Sequence, residues 1–388
     1  MIRHLFKMIW NQKGKHLGLS FEILFSFLVL FAVFSFGMSS YQKYAQPMGF
    51  ESDNIWLINL HWQDTSLQGV EQIKRAFADQ LQAAPEVLDF SFSNPNIPFT
   101  NSTFRNKVRK DNYDLDSDIF TVDDRFAQVM SIQPVEGRWF GPEDNGSTLP
   151  PLVITASIAQ HFFGSNAEAI NQQLEYDGQQ HRIIGVISTY RYRGDFAEAA
   201  NSTFRRSNFD PSSSKILCKM RPGTTADFEQ TTLRKFKEIA PTWGADVSDL
   251  SAMRSAKTRS HLTPLVVLGI ICTFLMINVA LGLFGVLWQS INYRKEEIGV
   301  RRAMGSTQSN VISQLIGEML VLATFSLAIG LFFAVQFPIM RVFGMGAEVY
   351  VPAMLLATLI IYLVVVICAF FPSNQASRIP VVEALRHE

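Results

Sequence analysis

The sequence predicts a membrane protein of four transmembrane α-helices with a large α+β extracytoplasmic domain between helices 1 and 2. Two observations predict it. The apolar residues, 48% of the 388, gather in four blocks at 17–38, 265–288, 319–337 and 353–371; Glu22 alone interrupts the first, and the others carry no charge. About 20 residues at about 1.5 Å rise each cross a hydrocarbon core of roughly 30 Å, and soluble helices of that length show a polar face that these lack. The second observation is the stretch 41–263, which has the strand and helix periodicities of a folded domain.

Composition narrows the class. Lys+Arg and Asp+Glu number 34 each, which leaves no electrostatic footprint for nucleic acid. Low charge with 32 Phe excludes a disordered chain, and 3 Cys exclude a disulfide-stapled scaffold.

In chain order, residues 1–16 read as an amphipathic helix on the inner membrane surface, with Ile2, Leu5, Phe6 and Ile9 on one face and Arg3, Lys7 and Asn11 opposite. Residues 17–40 are transmembrane helix 1. A signal peptide competes for this segment, because Gly37 and Ser39 resemble a cleavage site, but the apolar run exceeds a usual h-region and favours an uncleaved span. The outer domain follows at 41–263, then transmembrane helix 2 at 264–288, a basic segment at 289–310, transmembrane helix 3 at 311–337, an outer loop at 338–351, transmembrane helix 4 at 352–372 and a tail at 373–388. Lys and Arg set the orientation. Arg3, Lys7, Lys13 and Lys15, then Arg294, Lys295, Arg301 and Arg302, then Arg378 and Arg386 mark the cytoplasmic segments, whereas the loop between spans three and four has only Arg341. Both termini are therefore expected inside.

Within the outer domain, residues 54–93 read as strand, helix, strand, with Val70, Ile73, Phe77 and Leu81 on one helical face, and the same order recurs at 214–249. Two such units far apart predict one α+β subdomain with an insert at about 145–210. Inside the insert, Leu152 to Thr155 is a short strand, Gly164 ends a short helix, and Asp177-Gly178 turns a hairpin. The polar stretches 94–112 and 188–213 read as mobile or partner-facing loops.

The chain lacks the phosphate loop Gly-x-x-x-x-Gly-Lys-[Ser/Thr], and also Gly-x-Gly-x-x-Gly, His-Glu-x-x-His and Gly-x-Ser-x-Gly. It is expected to bind no cofactor and hydrolyse no ATP by itself. The acidic run Asp111, Asp114, Asp116, Asp118, Asp123, Asp124 suggests a calcium loop, but Ile119 and Arg125 occupy the positions that need Gly and Glu, so it reads as a solvated edge. No catalytic or metal-ligating set emerges. Among polar residues in the spans, Asn278 is expected to bond a neighbouring helix, and Glu318 to reach the inner interface or pair with Arg301 or Arg302.

Residues 293–307, Tyr-Arg-Lys-Glu-Glu-Ile-Gly-Val-Arg-Arg-Ala-Met-Gly-Ser-Thr, read as a short charged helix stopped near Gly305, with Ser306 or Thr307 capping the next helix. A basic loop that fixes topology would explain the Lys and Arg. It would not explain a rigid helix-Gly-helix, which suits a lever docking on a cytoplasmic partner.

Here the sequence resembles the permeases of the MacB and FtsX type, ABC transporters that work as mechanical transmitters. Arg294 to Gly305 with Gln314, Leu315 and Glu318 carry the resemblance, together with the tail Ile379-Pro380-Val381-Val382-Glu383-Ala384-Leu385-Arg386, Gly137-Arg138-Trp139-Phe140, and Val153 to Gly164 leading to Ile183-Ile184-Gly185-Val186. It covers essentially the whole chain. The resemblance implies a coupling helix at about 294–304 that meets a separate ABC ATPase subunit, on which ATP and Mg sit, through Arg294, Lys295, Glu296, Glu297, Ile298, Gly299, Arg301, Arg302 and Gly305. It also implies a second permease chain, a homo- or heterodimer, with the second span and its Asn278 and Gly282 near the interface, and Glu318 as a further polar position in the spans. The protein would sit among the lipids of a bacterial inner membrane with a two-part periplasmic core domain, its first part built from about 50–144 and 211–255. The function implied is efflux of drugs, peptides or toxins with a periplasmic adaptor and outer-membrane channel. The alternatives are a lipoprotein-releasing permease, a non-transporting regulator of envelope enzymes, or an unrelated membrane-anchored binding protein with no ATPase.

Overall fold

A computed structural model describes residues 13–61, 67–207 and 214–377. The surface helix expected at 1–16 falls largely outside these residues, and the tail motif at 379–386 does so entirely. Helices are α1 Lys13–Tyr44, α2 Leu67–Ala83, α3 Phe126–Val129, α4 Ala156–Phe163, α5 Asn166–Ala169, α6 Ala226–Ile239, α7 Leu250–Tyr293, α8 Lys295–Ala303, α9 Gln308–Ala334, α10 Gln336–Met340 and α11 Ala347–Ser377. Strands are β1 Ile55–His61, β2 Val87–Pro95, β3 Arg105–Lys110, β4 Tyr113–Val122, β5 Pro134–Gly137, β6 Pro151–Thr155, β7 Gln173–Tyr176, β8 Gln179–Ile187, β9 Ser202–Arg206, β10 Lys215–Met220 and β11 Gly244–Asp249. Two compact units result: Lys43–His261, and a second made of the residues up to Gln42 and from Leu262 onward.

The first unit is built on one sheet, ordered β11-β1-β10-β2-β4-β3-β7-β8-β6-β9, with β5 alongside β8 and β9 returning to pair with β4. That return closes β4, β3, β7, β8, β6 and β9 into a ring. Strand β4 is long enough to serve both halves: residues Tyr113 to Asp118 pair with β3, while Asp118 to Val122 pair with β9 and Phe120 to Val122 with β2. On the open half, α2 and α6 bury Phe77, Leu81, Phe236 and Trp243 against Ile58, Phe92 and Ile216. The ring half buries Val108, Leu152, Ile154, Leu174 and Ile183 with Ile158 of α4.

These pairings move several expected boundaries. The second part does not start at about 145, because β3 and the first half of β4 already belong to the ring and β5 pairs with its strand β8. The expected loops 94–112 and 188–213 contain strands β3 and β9, and Tyr190, Arg191 and Tyr192 are buried. Their polar side chains replace missing backbone partners. Asn96 Nδ2 donates to the carbonyls of Phe104 at 2.7 Å and Ile119 at 2.9 Å, and its Oδ1 accepts from Phe104 N.

The acidic run is not a solvated edge throughout. Asp114 is paired at the surface with Arg109 and Lys107, which hold its carboxyl down to about 2. Asp118 is buried and bonded by Arg105 at 3.2 Å and Arg193 at 2.6 Å. Asp123, of intermediate exposure as a residue, turns its carboxylate onto β2, accepting from Ser91 Oγ at 2.6 Å and Phe92 N at 2.9 Å. Desolvation outweighs these bonds and pushes Asp123 up to about 6.

A pH dependence follows. A carboxyl raised in the folded state binds its proton more tightly than the unfolded chain does, so its contribution to stability falls as pH rises from about 4 to about 6. Wild type should lose up to about 2 kcal/mol relative to Asp123→Asn across that window. Unfolding of both proteins at pH 4 and pH 7 checks this; a pH-independent difference would refute it.

Four helical segments among the described residues are long and apolar enough to cross a membrane: Leu17–Tyr44, Leu250–Tyr293, Gln308–Met340 and Ala347–Ser377. Ile23, Phe27 and Phe31 of α1, Val279 and Leu283 of α7, Leu315 and Leu322 of α9, and Ala357 and Ile361 of α11 share one core. The second segment is the outlier: 11% of its most apolar window is buried, against 28–33% in the other three. Where α7 meets α1 it does so at Gly282, whose absent Cβ would lie 2.7 Å from Glu22 Oε2.

Candidate functional site

The segment between α7 and α9 is shaped by local rules. Arg294, with φ −110° and ψ 16°, breaks the long helix, and α8 follows with Glu296 and Glu297 in its first turn and Arg301 and Arg302 in its last. Both placements complement the helix dipole. Gly305, at φ +99°, supplies the left-handed turn after α8. Thr307 then caps α9, its hydroxyl accepting from Asn310 N at 3.3 Å.

Side chains brace this short helix on its neighbours. Arg294 Nη1 donates to both oxygens of Glu318 at 2.9 and 3.1 Å, and the Glu318 side chain is only 7% exposed. Glu318 also accepts from Gln314 Nε2 at 3.4 Å. Arg301 joins the same network, donating to Gln314 Oε1 at 2.8 Å and Glu297 Oε1 at 2.5 Å, while Arg302 donates to the carbonyl of Ser377. Sequence reasoning pairs Glu318 with Arg301 or Arg302. The structure pairs it with Arg294, because the break after Tyr293 brings that guanidinium across to the inward face of α9.

Ile298 and Gly299 are buried, and a cavity of about 300 Å³ lies between α8 and α9, lined in part by Ile298, Met304, Val311 and Leu315. The opposite face of α8 is open, with Glu296, Val300 and Ala303 exposed; Met304, just past the end of α8, is 76% exposed and lines the cavity as well. Val300 and Met304 do not figure among the sequence-derived site residues. The signal of Val300 was available, since an apolar side chain four residues after Glu296 lies on the face away from Ile298.

The remaining span positions separate. Gly282 is at the contact with α1. Among the described residues Asn278 bonds no neighbouring helix: its Nδ2 donates to Phe274 O of its own helix at 2.8 Å, and the residue is half-buried. An amide side chain within a helix can satisfy itself on the carbonyl four residues back, which accepts it in addition to the bond of the helix ladder. Among the described residues, no group of three or more His, Cys, Asp and Glu is placed to hold a metal ion.

In the other unit, the loop 190–198 holds residues near both ends of that unit. Arg191, 2% exposed, donates to the carbonyls of Lys43 and Gln46 at 2.7 Å and of Asp195 at 2.6 Å, and to Ala197 O. Asp195 accepts a two-pronged bond from Arg254, at 2.6 and 3.0 Å, and a third from Thr258 at 3.2 Å. Phe196 is stacked against both Tyr44 and His261.

Comparison with known families decides the class. The description "MacB-like periplasmic core domain" matches residues 23–232, more than half of the chain, and "FtsX-like permease C-terminal" matches 269–381. The chain belongs to the MacB/FtsX-type ABC transporter permeases. Relatives of this MacB/FtsX-type permease include the macrolide export ATP-binding/permease protein MacB of Bdellovibrio bacteriovorus, 21% identical over 302 residues (74% of this chain, 46% of the relative). The pyoverdine export ATP-binding/permease protein PvdT of Pseudomonas savastanoi is 24% identical over 303 residues (72% and 44%). The ABC transporter permease YvrN of Bacillus subtilis is 22% identical over 294 residues, 70% of each chain. The permease thus spans less than half the length of MacB and PvdT.

Proposed function

We propose that this permease transmits ATP-driven motion from a separate ABC ATPase, which holds ATP and Mg, to its periplasmic core domain, and that its task is efflux of drugs, peptides or toxins. The observation that carries the reading is the brace of Arg294 on Glu318. A helix pinned to the ends of α7, α9 and α11 cannot swing freely, so a push on its open face reaches the membrane helices. Val300 and Met304 bordered by Glu296 and Arg301 have the composition of a contact surface, an apolar centre with a charged rim. The export functions in the names of MacB and PvdT support the efflux reading.

A second permease chain is proposed on the uncovered side of α7. Ile270, Phe274, Ile277, Leu281, Phe284 and Trp288 are all exposed and advance by alternating steps of four and three, the seam of paired helices. The inner membrane is the proposed location, with the 43–261 unit periplasmic, as the Lys and Arg distribution indicates. An adaptor and an outer-membrane channel complete the efflux assembly.

The test is affinity capture of the full chain from gently solubilised native membranes. Glu297→Ala and Arg301→Ala are expected to lower the recovered ATPase at least tenfold, and Val300→Asp, on the face away from the brace, to do the same. Unchanged ATPase recovery in all three variants would sink the coupling reading. An envelope hydrolase or a lipoprotein captured in place of an adaptor would replace efflux as the task.

A further inference from the structure

We propose that a cavity between α1, the α9–α10 segment and the start of α11 binds one acyl chain of a phosphate-bearing membrane lipid, with Arg341 contacting the phosphate. The cavity measures about 330 Å³. Buried Phe31 and Tyr350 form its floor, Phe337 packs edge-on to Phe31 at 5.5 Å, and Phe36 and Phe343 face each other at the rim with centroids 5.8 Å apart. Its polar atoms are already engaged. Ser35 Oγ donates to Phe31 O at 2.7 Å, and the Tyr350 hydroxyl donates to Val342 O at 2.7 Å.

An apolar cavity whose polar groups are already engaged accepts an apolar guest; a cavity of about 150 Å³ already holds benzene. At about twice that size, this one lies at the lower end of the range for ligand pockets, roughly 300–1,000 Å³, and fits part of an alkyl chain. The lining belongs to helices long and apolar enough to cross a membrane and to the turn joining two of them, so hydrocarbon is the surrounding medium.

Charge selects the lipid class. Arg341 follows α10 directly and is exposed, and its guanidinium has no ion-pair or hydrogen-bond partner among the described residues. It stands two residues before Phe343 at the cavity rim. Arg341 and Phe343 both adopt left-handed backbone, at φ 46° and 54°, which is uncommon for residues other than glycine. The bond from buried Tyr350 to Val342 O, between them, holds that conformation. One turn therefore presents a free cation beside the mouth of an apolar slot, the complement of a phosphate joined to an acyl chain. The proposal does not rest on the coupling reading.

The test labels the full chain, purified in dodecyl maltoside, with phosphatidylglycerol carrying a diazirine on one acyl chain, and maps the sites by mass spectrometry. Labelling is expected to concentrate on peptides covering 28–36 and 333–345 and to fall at least fivefold in Ala32→Trp, which fills the cavity. Arg341→Gln, a surface change, should lower phosphatidylglycerol labelling about fivefold and leave labelling by a diazirine diacylglycerol, which lacks the phosphate, unchanged. Label spread over the exposed face of α7 and unaffected by either variant would overturn the proposal. Displacement of the label by a macrolide at micromolar concentration would do so too, by assigning the cavity to exported substrate.

Discussion

Replacing Arg294 by alanine is expected to destabilise the membrane unit by about 3–5 kcal/mol, because it leaves the carboxylate of Glu318 without its counter-ion, with only the long bond from Gln314, where 7% of the side chain meets solvent. Most of that cost is the desolvated charge left behind, not the lost bond. The double change Arg294→Met with Glu318→Met should therefore recover much of the loss, since an apolar pair of similar volume replaces both ions. Thermal unfolding of wild type and the two variants in detergent measures it. A double variant no more stable than Arg294→Ala would show that the ion pair is not what holds α8. Recovery of stability in the double variant without recovery of ATPase capture would separate the structural role of the pair from any role in transmission.

The second large effect is expected at Arg191. Its replacement by methionine leaves carbonyls of Lys43, Gln46, Asp195 and Ala197 without the donor that now serves them all. Each stranded acceptor costs about 1–3 kcal/mol, and relaxation toward water lowers the total to about 4 kcal/mol. The loss is local, so amide exchange at 43–48 and 190–198 should accelerate by up to about 1,000-fold, while the open half of the sheet keeps its protection. Asp195→Asn offers a contrast. It weakens the Arg254 and Thr258 bonds but leaves the Asp195 carbonyl for Arg191, so faster exchange is expected near 250–258 and not at 43–48. Unchanged exchange at 43–48 in Arg191→Met would mean that those residues are held by something other than this guanidinium.

Much of the architecture was legible because its causes are local. Length and unbroken hydropathy mark the four membrane helices, and a helix with acidic residues first, basic residues last and Gly305 beyond its end can be read one residue after another. The strand-helix-strand units at 54–93 and 214–249 were legible for the same reason, and they share one sheet because β1 and β2 both pair with β10. Long-range polar contacts were not legible. Glu318 had several basic residues within reach in sequence, and only the backbone break at Arg294 selects among them. Asp118 and Asp123 have the same side-chain chemistry as their exposed neighbour Asp114, but the first is covered by Arg105 and Arg193 and the second by β2.

The sequence by itself determined the class of this protein: four apolar segments, a large α+β domain after the first of them, and a short charged helix before the third. Hydrophobic length, periodicity and capping act over a few turns of chain, so each leaves a readable pattern. Tertiary structure alone decided that β4 would serve two halves of a sheet, that Arg191 would gather carbonyls from distant segments, and that an apolar slot would form beside Arg341. Those outcomes depend on which unsatisfied donors, acceptors and apolar surfaces meet once the helices and strands pack. That meeting is a property of three-dimensional distance, which residue order does not encode locally.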